Sequence, residues 1–185
     1  DMKKNKIKLI IMIVLGVLMV SLLVFFVIYR KNTNIKEKTL NYIESKGLEV
    51  YKNSDIFDTA YLKSIGCSDV LFASGERYSI TVWTFENKTS ASKFFESEKD
   101  VQKENSEDVK VFEQKVLSEK EKKDLSVREF RKVVSEMADD NNVVYNYHYM
   151  VRIKNYYIDV YSSITEDNLK DMQQIKDELN KALGI

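Results

Sequence analysis

The hydrophobic pattern is dominated by one uncharged run of 21 residues, LIIMIVLGVLMVSLLVFFVIY, from Leu9 to Tyr29. Its side-chain polar atoms are the hydroxyls of Ser21 and Tyr29. As a helix, about 20 apolar residues cross a hydrocarbon core of ~30 Å. A soluble helix of that length keeps a polar stripe, and this run has none. Lys3, Lys4, Lys6 and Lys8 before it, and Arg30 and Lys31 after it, are placed to reach headgroups. A cleaved signal peptide has an apolar stretch of about 7–15 residues and a small-x-small site. Here Tyr29, Arg30, Lys31 and Asn32 stand instead, and no cysteine follows for lipidation. The pattern predicts an uncleaved single-pass anchor. Residues 1–8 form a short cytoplasmic tail, 9–29 the transmembrane helix and 30–185 an extracytoplasmic domain. The flanking positive charges nearly balance, so this orientation rests on the layout of a short flank, one span and a folded domain.

Beyond the anchor the period changes repeatedly. Residues 35–46 read as a helix with Ile35, Leu40 and Ile43 on one side and Gly47 at the C-cap. Short strands are expected at 48–51 and 70–73. The stretch YSITVWTF, 78–85, alternates with large apolar groups on both faces, which predicts a central strand with Trp83 in the core. A second helix follows over 89–103, capped by Asn87, Thr89 or Ser90, with Ala91, Phe94, Phe95 and Val101 on its apolar side. Residues 109–117 alternate weakly. SEKEKKDLS, 118–126, reads as a solvated loop or frayed helix. Residues 130–137 fit a helix or a strand, and the turn-rich ADDNN after them favours a hairpin. The clearest strands are 143–153 and 156–162, joined at Lys154 and Asn155. That turn sets Ile153 opposite Tyr156, Val151 opposite Ile158, Tyr149 opposite Val160 and His148 opposite Tyr161. The last element is a helix over 166–183, with Leu169, Met172, Ile175, Leu179, and Ala182 or Leu183 as its stripe. Ser163 and Glu166 suit a capping box, and Gly184 stops it. The predicted class is α+β, an antiparallel sheet packed by about three helices behind an N-terminal transmembrane helix.

Charge sharpens this picture. The chain carries 29 basic and 29 acidic residues, but its first thirty hold five of the basic and one of the acidic ones. The remaining 24 against 28 give a mildly acidic domain, without the concentrated Lys and Arg of nucleic-acid binders. Eleven tyrosines and an aromatic fraction of 11% predict a folded tail rather than a disordered one.

Candidate chemistry is sparse. His148 is the sole histidine and Cys67 the sole cysteine, which rules out an intramolecular disulfide and a structural zinc set. His148, on a tyrosine-rich strand, reads as a surface or hydrogen-bonded residue. Cys67 reads as a small buried group. Pairing of the two through space is the one nucleophile–base arrangement on offer. Asp139, Asp140, Asn141 and Asn142 offer oxygens to calcium but lack the loop glycine and terminal glutamate, so turn chemistry accounts for them. No phosphate-binding glycine loop and no nucleophile elbow occur. The sequence assigns no catalytic, metal or cofactor-binding residue, and no enzyme is expected.

Three segments, YIESKGLEVYKNSDIF, YSITVWTFENKTSASKFFE and YMVRIKNYYIDV with the helix after it, together resemble small extracytoplasmic lipoproteins and anchored proteins of Gram-positive bacteria. The resemblance implies a compartment and an α+β fold, and no activity. It departs from the lipoprotein members in lacking the lipidated cysteine. The resulting expectation is a non-enzymatic binding module of the cell envelope. Its partners would be the lipid bilayer through 9–29 and another envelope protein. The alternatives are a small-ligand sensor or carrier, and an accessory subunit of a secretion or conjugation complex.

Overall fold

The structure, a computed structural model, describes residues 14–21, 35–52, 57–104, 111–134 and 143–185. The chain divides into two units, 1–37 and 38–185. In the first, residues 14–21 are helical, and Ser21 Oγ donates to the Val17 carbonyl at 2.7 Å. Val14, Leu15, Val17, Leu18, Met19 and Val20 are each more than half exposed. Among the described residues no helix is long and apolar enough to cross a membrane. The rest of the Leu9–Tyr29 run lies outside them.

The second unit is α+β. Its strands are β1 (Glu49–Lys52), β2 (Cys67–Ser74), β3 (Ser79–Phe85), β4 (Val111–Lys122), β5 (Leu125–Val134), β6 (Tyr145–Ile153) and β7 (Tyr156–Ile164). They form one seven-stranded antiparallel sheet in the order β1-β2-β3-β7-β6-β5-β4. Two meanders, β1–β3 and β4–β7, meet where β3 pairs with β7. The α-helices are α1 (Ile35–Ser45), α2 (Thr59–Ser64), α3 (Lys88–Glu104) and α4 (Leu169–Leu183).

Strand alternation divides the core in two. On one face Val70, Trp83, Phe85, Met150 and Tyr157 pack with Leu62 of α2 and Ala91, Phe94 and Phe95 of α3. Trp83 lies 4.8 Å from the rings of both Phe57 and Phe94, as the core reading requires. On the other face Ile80, Val82, Tyr149, Val151, Ile158 and Val160 are buried. There Tyr149 donates to Asn180 of α4 at 2.7 Å. Helix α1 joins α4 through Tyr42 Oη to the Ile175 carbonyl at 3.4 Å and Lys38 Nζ to the Leu183 carbonyl at 3.2 Å. Each large apolar side chain buried this way is worth about 1.5–3 kcal/mol.

The register of β6 on β7 matches the sequence expectation at every pair named above. The turn differs in detail. Lys154, not Asn155, takes the left-handed backbone (φ 54°), and the Asn155 amide donates to the Phe85 carbonyl at 2.9 Å. The 130–137 ambiguity resolves as strand through Val134, and 135–142 lie outside the described residues.

Two expectations are corrected. Residues 118–126 are not a loop: they close the β4–β5 hairpin around Lys123 and Asp124. Their charges suit an edge strand, because acid and base alternate with period two. Glu119 and Glu121 face α3, while Lys120 faces the opposite side. The lysines and two register shifts also blunt a 12-residue edge against pairing with another chain. Ser163 caps no helix. It remains in β7, donating to Asn146 Oδ1 at 3.1 Å, and a 3₁₀ turn, Glu166–Asn168, leads into α4. Helix α2 has no counterpart in the reading, since six residues give no periodicity. Asp58 caps it, accepting from the Ala60 amide at 2.9 Å. It ends beside Gly66 (φ +69°), where an added Cβ would stand 2.8 Å from Ser90 Oγ of α3.

Candidate functional site

The face covered by α3 is apolar where β2 and β3 meet Tyr157 of β7, and polar or charged from Asp159 of β7 across β6, β5 and β4. Register sets the charged residues in rows. Arg152 stands between Ser126 and Tyr157, Arg128 beside Met150, and Lys132 beside Asn146. All three basic residues are buried, Arg128 and Arg152 at 5% exposure and Lys132 at 6%. Alternation places Arg128 and Lys132 on either side of Phe130, which has no exposed surface.

Helix α3 adds a fourth buried cation, Lys99. Its amine bonds Glu121 at 2.8 Å and Glu119 and Glu96 at 3.1 Å. Burial pulls its pKa down, but the three carboxylates outweigh that and hold it above the ordinary lysine value. The same contact holds Glu121 below the ordinary carboxylate value. Lys99 thus ties α3 to the edge strand, and its acceptors are committed to it.

The other cations are less well matched. Arg152 Nη2 donates to Ser126 Oγ at 2.8 Å and to the Lys122 carbonyl at 3.4 Å, while Nη1 is buried without a partner. Arg128 lies 3.9 Å from Glu119 and 5.7 Å over the Phe130 ring, and its Nε is buried and unpaired. Lys132 has no hydrogen bond or ion pair among the described residues. Leaving buried charge unpaired costs several kcal/mol per ion.

A prediction follows for Lys132. Burial, and then the neighbouring Arg128, hold its pKa below the ordinary 10.5. The folded protein therefore gives up this proton at lower pH than the unfolded chain. The residue's contribution to stability is present above 10.5 and lost as pH falls through the lowered folded value. Lys132→Met should raise stability at pH 7 by about 0.5–2 kcal/mol, the partly compensated cost of burying a polar group. It should also remove the alkaline rise. Urea unfolding at pH 7 and pH 10, followed by Trp83 fluorescence, measures both; a less stable variant at pH 7 would show that the amine is satisfied.

His148 lies on the same face. Its Nδ1 is 3.2 and 3.3 Å from the two Asp159 oxygens, and its ring stacks on Phe130 at 4.9 Å and meets Tyr161 at 5.0 Å. A carboxylate only accepts, so His148 donates. Among the described residues no serine, threonine or cysteine bonds the ring. Glu98 of α3 is nearby. Burial first, and then repulsion from Asp159, raise its pKa, with His148 opposing.

Cys67 does not join this group. It is buried at the start of β2, with its sulfur 3.3 Å from the carbonyls of Asp69 and Thr84, and burial raises its thiol pKa. It pairs with Phe85, whereas His148 shares a row with Tyr161 and Ser79, six residues along β3. At ~3.3 Å per residue that is a separation of roughly 20 Å along the strands alone. The thiol–imidazole pairing is not formed. Residues 139–142 lie outside the described residues, among which no three His, Cys, Asp or Glu side chains converge as a metal site.

A cavity of about 380 Å³ opens at one end of this face, lined by Glu96, Glu121, Lys122, Lys123, Ser126 and Arg152 among others. What the half-face offers chemically is hydrogen-bond donation and positive charge to an anion. The sequence reading named none of Arg128, Lys132 and Arg152. The available signal was parity, since Arg128, Phe130 and Lys132 fall on one side of a strand and the phenylalanine marks that side as buried. Compared with protein-family models and with curated proteins, the chain matches none.

Proposed function

We propose that this chain is a single-pass membrane-anchored binding module whose α+β domain takes up an anionic group of a partner outside the cell. One observation carries the binding part. Arg128 and Arg152 sit buried on one sheet face with Nε and Nη1 respectively unpaired among the described residues, and Lys132 is buried on the same face. Ordinary cores avoid that cost, whereas binding sites retain it for a ligand's charge. The anchor rests on the 21-residue uncharged run, and on the absence of a polar stripe along it. The small-x-small cleavage site is missing after it, and a folded domain follows.

Two measurements on the full chain, expressed in a Gram-positive bacterium, test the placement. Alkaline carbonate extraction should leave the protein in the membrane pellet. Protease added to intact protoplasts should digest the domain. Recovery in the carbonate supernatant would reject the anchor, and protection until lysis would put the domain inside.

A further inference from the structure

We infer that the cavity between α3 and the β4–β5 hairpin is a carboxylate-binding subsite, with Arg152 as the residue that recognises the ligand. The inference rests on the binding-module reading and narrows it to one place and one chemical group. The Arg152 guanidinium is already oriented. One nitrogen is fixed by Ser126 Oγ at 2.8 Å and the Lys122 carbonyl at 3.4 Å, and Nη1 is buried without an acceptor beside the cavity that Arg152 lines. A donor fixed on one side and unpaired on the other is preorganised, so little entropy is lost when an acceptor arrives.

The acids at the cavity do not supply that acceptor. Glu121 and Glu96 are held by Lys99 at 2.8 and 3.1 Å. The remaining charges lining the space are the cations Arg152, Lys122 and Lys123, the two lysines exposed. A planar carboxylate matches the guanidinium fork and brings a single negative charge. A phosphate dianion would bring a second charge into the field of Glu96 and Glu121. A volume of about 380 Å³ suits a group the size of an amino acid or a dipeptide end. A peptide C-terminus and a small organic acid share this chemistry, and the probes below separate them.

The experiment uses the full chain in detergent micelles and calorimetric titration at low salt. The probes are N-acetyl-dialanine, its C-terminal amide, acetate and inorganic phosphate. The free acid should bind saturably, and the amide should bind at least tenfold more weakly. Acetate binding as tightly as the peptide acid identifies a small acid as the ligand; binding of the peptide acid alone identifies a chain terminus. Arg152→Gln should weaken the acid by roughly 10- to 100-fold, the loss of one charged hydrogen bond. Where that variant fails to fold, Arg152→Lys, which keeps the charge and loses the fork, and Lys123→Gln on the exposed rim carry the test. The first should weaken binding about tenfold and the second a few-fold. Equal affinity for acid and amide, tighter binding of phosphate, or unchanged affinity in Arg152→Lys and Lys123→Gln would overturn the inference. Carbonate extraction and protease digestion do not depend on the cavity, so anchor and subsite fail separately.

Discussion

Lys176→Met should destabilise the domain by about 1.5–3 kcal/mol, the loss of a charge-assisted hydrogen bond to a buried carboxylate. Glu129 is buried in β5, on the sheet face opposite the candidate site. Its carboxylate receives Lys176 Nζ at 2.8 Å, Tyr147 Oη at 2.9 Å and Ser118 Oγ at 3.0 Å. The Glu129 side chain is 7% exposed and that of Lys176 16%, so water replaces the lost amine only in part. Tyr147 cannot change role, because burial and then the Glu129 charge push its pKa far above the ordinary tyrosine value and keep it a donor. Without Lys176, two neutral donors face a buried negative charge. The double variant Lys176→Met/Glu129→Leu removes that charge and should recover most of the loss. A double-mutant cycle in urea, read by Trp83 fluorescence, measures the coupling. Additive losses would show that the pair is screened by solvent.

That ion pair explains why α4 was easier to place than to anchor from sequence. Met172, Leu179 and Leu183 recur at helical spacing and are buried, so the stripe alone located the helix. Glu129 and Lys176 are 47 residues apart and carry no shared pattern. The β6–β7 hairpin was legible down to its register because one of its faces is almost wholly apolar, and a one-residue slip would expose that face. The β4–β5 hairpin was not. Its residues Glu119, Lys120, Glu121 and Lys122 look solvated by composition, and their order within the strand appears only once Lys99 is seen to collect the two glutamates.

The same contrast holds at the candidate site. Arg128, Lys132 and Arg152 have the composition of surface residues, and hydrophobicity alone assigns them to solvent. What buries them is coverage by other elements, together with the sheet order that puts β5 inside β4 rather than at the edge. His148 reads from sequence as a surface or hydrogen-bonded residue, and the structure has it hydrogen-bonded. Its partner Asp159 follows from the hairpin register, in which Asp159 pairs with Met150, two residues from His148 and on the same face.

The second large effect concerns how α3 is held over this face. Phe95→Ala should cost about 3–5 kcal/mol, since it deletes a ring from a packed core. Phe95 is 1% exposed, its ring meets Tyr157 edge-on at 6.1 Å, and Lys99 lies 5.2 Å over it. Cys67 belongs to the same hydrophobic cluster and offers a local reporter. Its burial raises the thiol pKa and blocks reagents, so it reacts when the cluster opens. If opening of α3 is what exposes it, a loss of 3–5 kcal/mol should accelerate disulfide-exchange labelling by roughly 100- to 4,000-fold at fixed pH. Leu179→Ala provides the comparison, because Leu179 is fully buried on the opposite face. A similar global loss there should accelerate Cys67 far less if α3 opens as its own unit. Equal acceleration in the two variants would mean that the thiol is exposed only by unfolding of the whole sheet, and that α3 holds the candidate cavity as rigidly as the strands do.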